Sequence, residues 1–213
     1  MQITAVIPAY NEEDTIEGVV NQVGNHKLID KVIVVSDGSI DDTAQIASQA
    51  GAQVIALKEN RGKGAAMRIG VDRSKGDIIL FLDADLLGLQ EEHINSLILP
   101  LLDDDIQMSI GIFDDGRILT DLAQKIAPFL SGQRAVKRNL VDQIPHLEMT
   151  DFGVEVALTR YINNNDIKYE KVRLKDLSHV MKEEKLGLVK GFSARLKMYW
   201  DILKEIPRRE KVR

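Results

Sequence analysis

Gly76-Asp77-Ile78-Ile79-Leu80-Phe81-Leu82-Asp83-Ala84-Asp85 sets five apolar residues between a Gly-Asp pair and an Asp-x-Asp. A run this short, bounded by turn-forming residues, reads as a buried strand rather than a helix. Side chains alternate along a strand, so Asp83 and Asp85 point to the same side at its C-terminal edge. Hard carboxylate oxygens in that position suit Mg²⁺ or Mn²⁺, ions that usually arrive with phosphates. Taken alone, Asp-x-Asp also suits an acidic turn, and the rest of the chain has to separate the two.

Upstream, strand and helix signals alternate. Ile3–Ala9, Lys31–Ser36 and Gln53–Leu57 read as strands. Between them, Asn11 to Val23 has helical spacing, with Ile16, Val19, Val20 and Val23 on one face and Asn11 or Asp14 as cap. Asp41 or Asp42 caps a second helix that runs to Ala50 and closes at Gly51, and Gly64–Ser74 is a third. Continuous apolar strands separated by helices predict a largely parallel sheet covered on both faces. Ligands of such sheets bind at the strand C-terminal ends. Here those ends read Tyr10-Asn11-Glu12, Ser36-Asp37-Gly38-Ser39, Glu59-Asn60-Arg61-Gly62 and Asp83-Ala84-Asp85. Downstream the pattern is less regular: helices over Glu91–Leu102, Leu119–Ala127 and Asp151 to Asn163, and strands over Met108–Phe113 and Lys168–Leu174.

The 213 residues fit one domain with a C-terminal appendage, and 44% hydrophobic with 29% charged residues describes an ordinary globular chain. There is no cysteine, which excludes disulfides, thiolate metal sites and a cysteine nucleophile. Met1 leads directly into the first strand and no apolar run is long enough to span a bilayer, so a cytoplasmic protein without a signal peptide is expected. Residues 185–213 carry nine Lys/Arg against three Asp/Glu, a net +6, which leaves −11 for the preceding 184 residues. Within that tail Phe192, Leu196, Tyr199, Leu203 and Ile206 recur at helical spacing. A basic amphipathic helix of this kind lies on an anionic membrane, packs on its own domain, or forms a homodimer seam. Nucleic acid is not among the expected partners.

Three further constellations carry chemistry. Pro8-Ala9-Tyr10-Asn11-Glu12-Glu13 follows the first strand, and its carboxylates suit a ribose or base edge. In Asp37-Gly38-Ser39, Gly38 lets backbone approach a ligand and Asp37 accepts from a nucleobase N–H. Asn60-Arg61-Gly62-Lys63-Gly64-Ala65-Ala66 places two glycines and a lysine at a helix N-terminus, which favours an anion. Neither the P-loop spacing nor G-x-G-x-x-G is present.

In this order and spacing, Pro-Ala-Tyr-Asn-Glu, Asp-Gly-Ser-x-Asp-Asp-Thr, Asn-Arg-Gly-Lys-Gly-Ala-Ala and Asp-Ala-Asp resemble the family-2 glycosyltransferases of the GT-A fold. Within that group the chain is similar to polyprenyl-phosphate sugar transferases and to glucosyl- or mannosyl-phosphoglycerate synthases. The resemblance is strong over residues 3–86 and looser through Ser131–Ala135 and Asp151–Glu155.

It implies an α/β Rossmann-like, mostly parallel sheet flanked by helices. Residues 1–184 would form the catalytic domain, with a nucleotide-sugar half to about 105 and an acceptor half over 106–184, followed by the helix 185–213. The implied activity is metal-dependent transfer of a hexose from a nucleotide-sugar, UDP favoured over GDP, to a phosphorylated small molecule or a polyprenyl phosphate. Pro8, Tyr10, Glu12, Asp37 and Lys63 would hold the nucleotide. Asp83 would hold ribose or sugar hydroxyls, and Asp85 the Mg²⁺ or Mn²⁺ that bridges the phosphates. Ser131, Gly132 and Arg134 match the family's acceptor loop, where Arg134 clamps a phosphate; a solvated surface turn is the other reading. Glu155 is the expected general base and Asp151 its rival as a helix cap.

His179 matches a further metal ligand after the last strand. Position 87, polar in related transferases, is Leu87 here. His26, His93 and His146 carry no partner pattern. A non-catalytic nucleotide-sugar-binding module of the same fold is the alternative; a nucleotidyltransferase would need a glycine-rich basic loop after the first strand, which Pro8–Glu13 lacks.

Overall fold

In a computed structural model, which describes residues 1–114, 131–144 and 153–179, the apolar runs become the strands of one sheet. In chain order the elements are β1 (Ile3–Ala9), α1 (Ile16–Gly24), β2 (Lys31–Ser36), α2 (Thr43–Gln49), β3 (Gln53–Ala56), α3 (Lys63–Arg73), β4 (Ile78–Phe81), β5 (Leu86–Leu87) and α4 (Glu91–Ile98). A 3₁₀ turn over Leu99–Leu102 follows, then β6 (Met108–Asp114), β7 (Arg134–Lys137), α5 (Arg138–Asp142), α6 (Gly153–Asn164), β8 (Tyr169–Lys175) and β9 (Ser178–His179). The expected helix over Leu119–Ala127, Asp151, His146 and the basic segment 185–213 lie outside the described residues.

The main sheet has seven strands in the order β3-β2-β1-β4-β7-β6-β8. β1, β2, β3 and β4 are mutually parallel, β7 runs antiparallel to both β4 and β6, and β6 pairs parallel with β8. A mostly parallel sheet flanked by helices is therefore what the chain forms. The alternation along its central strands sorts the core. Ala5, Ile7 and Ala9 of β1, with Ile78 and Leu80 of β4, face the helices α1 and α4; Val6, Ile79 and Phe81 face α3, α5 and α6. Burial on both faces is why β1 and β4 have no polar alternation for a sequence reading to find.

Several boundaries differ from the expected ones, each for a local reason. α1 begins at Ile16, not Asn11, because Asn11 takes a left-handed conformation (φ 55°) and residues 11–13 bond across to the next loop. α4 stops at Ile98 rather than Leu102: Pro100 has no N–H to donate, and the chain tightens to a 3₁₀ turn. His93 explains the start of α4. Its Nδ1 accepts from Gln90 N–H at 3.1 Å, and its Nε2 lies 2.7 Å from the Lys175 carbonyl, tying the helix to β8. On the opposite face, Arg138 donates to the carbonyls of Val71, Ser74 and Gly76, closing the C-terminal end of α3.

Candidate active site

The ends of β1 and β2 are zipped together first. Asn11 N–H donates to Ser39 Oγ at 3.1 Å, and Ile40 N–H returns to Asn11 Oδ1 at 3.0 Å. Glu12 N–H donates to Thr43 Oγ1 and Asp42 N–H to Glu13 Oε2. Pro8 is buried inside β1, Tyr10 stands 47% exposed at its end, and Glu12 is half-buried.

Asp37 is buried at the end of β2, and its two oxygens accept the N–H groups of Arg61 and Gly62, each at 2.8 Å. That carboxylate pins the loop before α3 in place and sets where Lys63, the first residue of the helix, begins. Gly38 makes the arrangement sterically possible. Its φ is +71°, and a Cβ there would lie 2.5 Å from Asn60 N and the Glu59 carbonyl carbon. Gly38→Ala is expected to destabilise the fold by at least about 1–2 kcal/mol from the left-handed backbone alone, read as a lower urea midpoint with unchanged m.

Lys63 then reaches across the sheet edge. Its Nζ lies 2.7 Å from Asp83 Oδ1 and 2.5 Å from Glu155 Oε1, so one ammonium joins the turn after β4 to the first turn of α6. Asp83 is held on its other oxygen by Gln133 Nε2 at 3.0 Å. The loop 131–133 presses on it as well: a Cβ on Gly132 would sit 2.5 Å from both Asp83 oxygens. Asp83 and Asp85 are both half-buried and Ala84 and Leu86 buried, but β4 itself ends at Phe81 and the motif forms a turn instead of the strand edge expected.

Arg134 lies beneath this layer with no exposed surface. Its Nε donates to the Ser131 carbonyl, and one Nη donates to both the Glu155 carbonyl and Thr159 Oγ1, all at 2.8 Å. Thr159 in turn donates to the Glu155 carbonyl. The guanidinium is thus inside the protein, where it fixes Ser131 and the start of α6, and Ser131 is buried with it. Burial pulls Arg134 down to about 10, against the opposing pull of Glu155 and Asp83. For Lys63, desolvation also opposes charge, but Asp83 and Glu155 outweigh it and hold the ammonium above the ordinary lysine range.

Lys63, Asp83 and Glu155 are brought into direct contact; Asp37 joins them through Gly62, and Gly132 through Asp83. His179 pairs through its backbone with Leu86 in the two-stranded β5-β9 sheet, next to the 45% exposed Leu87. Gln133 and Thr159 were not singled out in the sequence. Gln133 stands inside the Ser131–Ala135 stretch of the resemblance, but Thr159 carries no local signal.

As to metal, the hard oxygens of Asp85 fit Mg²⁺ or Mn²⁺, which are bound through one or two carboxylates plus substrate phosphates and water. Among the described residues no group of three or more His, Asp or Glu is placed to hold an ion unaided. Nor is any described helix long and apolar enough to cross a membrane.

Known proteins resemble the chain in sequence and fold. The model of glycosyl transferase family 2 matches residues 4–159. Glucosyl-3-phosphoglycerate synthase of Mycobacterium tuberculosis is 28% identical over 73% of this chain and 59% of its own length. The chain thus spans less than two thirds of that relative. Dolichyl-phosphate beta-glucosyltransferase of Drosophila melanogaster is 37% identical over 40% of this chain and 31% of its own. The crystal structure of the M. tuberculosis synthase with Mn²⁺, UDP and glucosyl-3-phosphoglycerate superposes with a TM-score of 0.73 at 27% identity, covering 92% of this chain and 79% of that one.

Proposed function

Since the chain belongs to glycosyl transferase family 2 and has the GT-A fold, we propose that it moves a hexose from a nucleotide-sugar, UDP favoured over GDP, to a phosphorylated acceptor. The observation that carries this reading is the Lys63–Asp83–Glu155 cluster at the C-terminal edge of the parallel strands, where such sheets bind ligands. Base and ribose would lie along Pro8, Tyr10, Glu12 and Asp37, with Lys63 at the diphosphate. Asp83, held by Gln133, would orient ribose or sugar hydroxyls. Asp85, with His179 as a further ligand, would hold Mg²⁺ or Mn²⁺, which offsets the charge that develops on the departing nucleoside diphosphate. The solved relative's complex with Mn²⁺ and UDP supports that assignment.

Glu155, buried and aimed at the same cluster, would accept the proton of the acceptor hydroxyl. Ser131 and Gly132 would line the acceptor side. Arg134 would contribute its positive charge from below rather than through direct contact, since it has no exposed surface. Both a phosphoglycerate and a lipid phosphate are acceptors named for relatives of this chain. A small soluble acceptor is the simpler expectation for a cytoplasmic enzyme; a lipid acceptor would bring in the basic segment 185–213 as a peripheral membrane contact, or as a dimer seam.

The decisive test is a thermal-shift panel of UDP, GDP and their common sugars with Mn²⁺, Mg²⁺ or EDTA. Saturation at 100 Kd stabilises a fold by about 2.7 kcal/mol, and a metal-dependent shift with one nucleotide identifies the donor. Transfer to 3-phosphoglycerate or to polyprenyl phosphate then separates the acceptors. Asp85→Ala is expected to remove the metal dependence of both shift and turnover. No shift with any nucleotide would defeat the reading.

A further inference from the structure

We propose that Lys63 is an exchangeable counterion whose transfer from Glu155 to the donor diphosphate couples donor binding to release of the base. This rests on the donor reading above and adds to it how the donor and acceptor halves communicate. One ammonium serves two carboxylates, at 2.7 Å to Asp83 and 2.5 Å to Glu155. Of the three side chains the lysine is the most exposed. The Asp83 side chain is held by Gln133 and crowded by Gly132. The Glu155 side chain is 8% exposed, on a helix whose first turn is fixed by Arg134 and Thr159. Lys63 is 42% exposed, on a four-carbon stem, at the first position of an eleven-residue helix.

The N-terminus of α3 is also where the helix dipole favours an incoming diphosphate. A diphosphate there competes for the same ammonium, offering it several oxygen acceptors where each carboxylate offers one. Once Lys63 turns to it, Glu155 Oε1 is open to an acceptor hydroxyl. Until then Glu155 is occupied, and an acceptor that arrives first meets a neutralised carboxylate. Part of the donor's binding free energy is used to break the Lys63–Glu155 pair.

The test is a double-mutant cycle on nucleotide affinity, which needs no turnover. Dissociation constants for UDP with Mn²⁺ are measured by calorimetry on the wild-type chain, Glu155→Gln, Lys63→Met and the double variant. Glu155→Gln removes the competing charge and is expected to tighten UDP binding by about 5-fold or more, the lower end of ordinary coupling between sites. In the Lys63→Met background the same change should have no effect. Unchanged or weaker binding by Glu155→Gln would overturn the proposal. So would a UDP complex of the wild-type chain in which Lys63 still bonds Glu155, a measurement that holds even if a variant fails to fold. If the wild-type chain binds neither UDP nor GDP, the donor reading itself falls, an outcome distinct from UDP binding without coupling.

Discussion

Glu155→Gln is expected to lower kcat by about 10²–10⁴-fold, the usual contribution of a placed general base, while nucleotide binding tightens. The two effects separate because glutamine keeps the size and one acceptor oxygen of the side chain but cannot take up a proton. The backbone carbonyl of residue 155, which anchors Arg134 and Thr159, is untouched by the substitution, so the first turn of α6 should remain in place. Initial-rate kinetics with saturating donor, alongside an unchanged melting temperature, checks it. Wild-type turnover in Glu155→Gln would remove this residue from the chemistry. A wild-type chain that binds nucleotide but never turns over would favour the binding-module alternative.

Arg134→Ala should have the largest effect on stability. The guanidinium is fully buried and donates to two main-chain carbonyls and a threonine hydroxyl. Removing it leaves those acceptors without that donor, strands nearby carboxylate charge, and opens a cavity the size of a long side chain. Breaking a buried charged network from one side typically costs about 3–5 kcal/mol, to be measured by urea unfolding. Arg134→Lys should restore only part of it, since one ammonium cannot reproduce the planar fork that spans Ser131 and Glu155. A loss below about 1 kcal/mol in Arg134→Ala would show that the buried contacts are replaceable.

These two residues also mark the boundary of what the linear chain reveals. Strands such as Lys31–Ser36 were legible because an apolar run of that length, closed by turn formers, has few alternatives. Asp83, Asp85 and the glycines around Lys63 were legible because their chemistry is local to a motif. The burial of Arg134 was not, because its partners Glu155 and Thr159 lie 21 and 25 residues away and nothing nearby shows that they close over it. The start of α1 failed for the opposite reason. Asn11 has good local credentials as a cap, but its amide is used across the sheet edge by Ile40. The role of Gln133 became visible only with Asp83, fifty residues earlier, beside it.

The reversed strand β7 has a consequence of its own. β1, β2 and β4 deliver to this edge the residues that follow them, whereas β7 delivers the residues that precede it, Ser131 to Gln133. The cleft is therefore stocked by two independent stretches of chain, one leaving the sheet and one entering it. The two stretches meet at Asp83, which Gln133 bonds and Gly132 crowds, so a substitution at either residue reaches a strand end as well. On the proposed function, a single inverted strand thus makes acceptor choice and donor binding evolve together at one carboxylate.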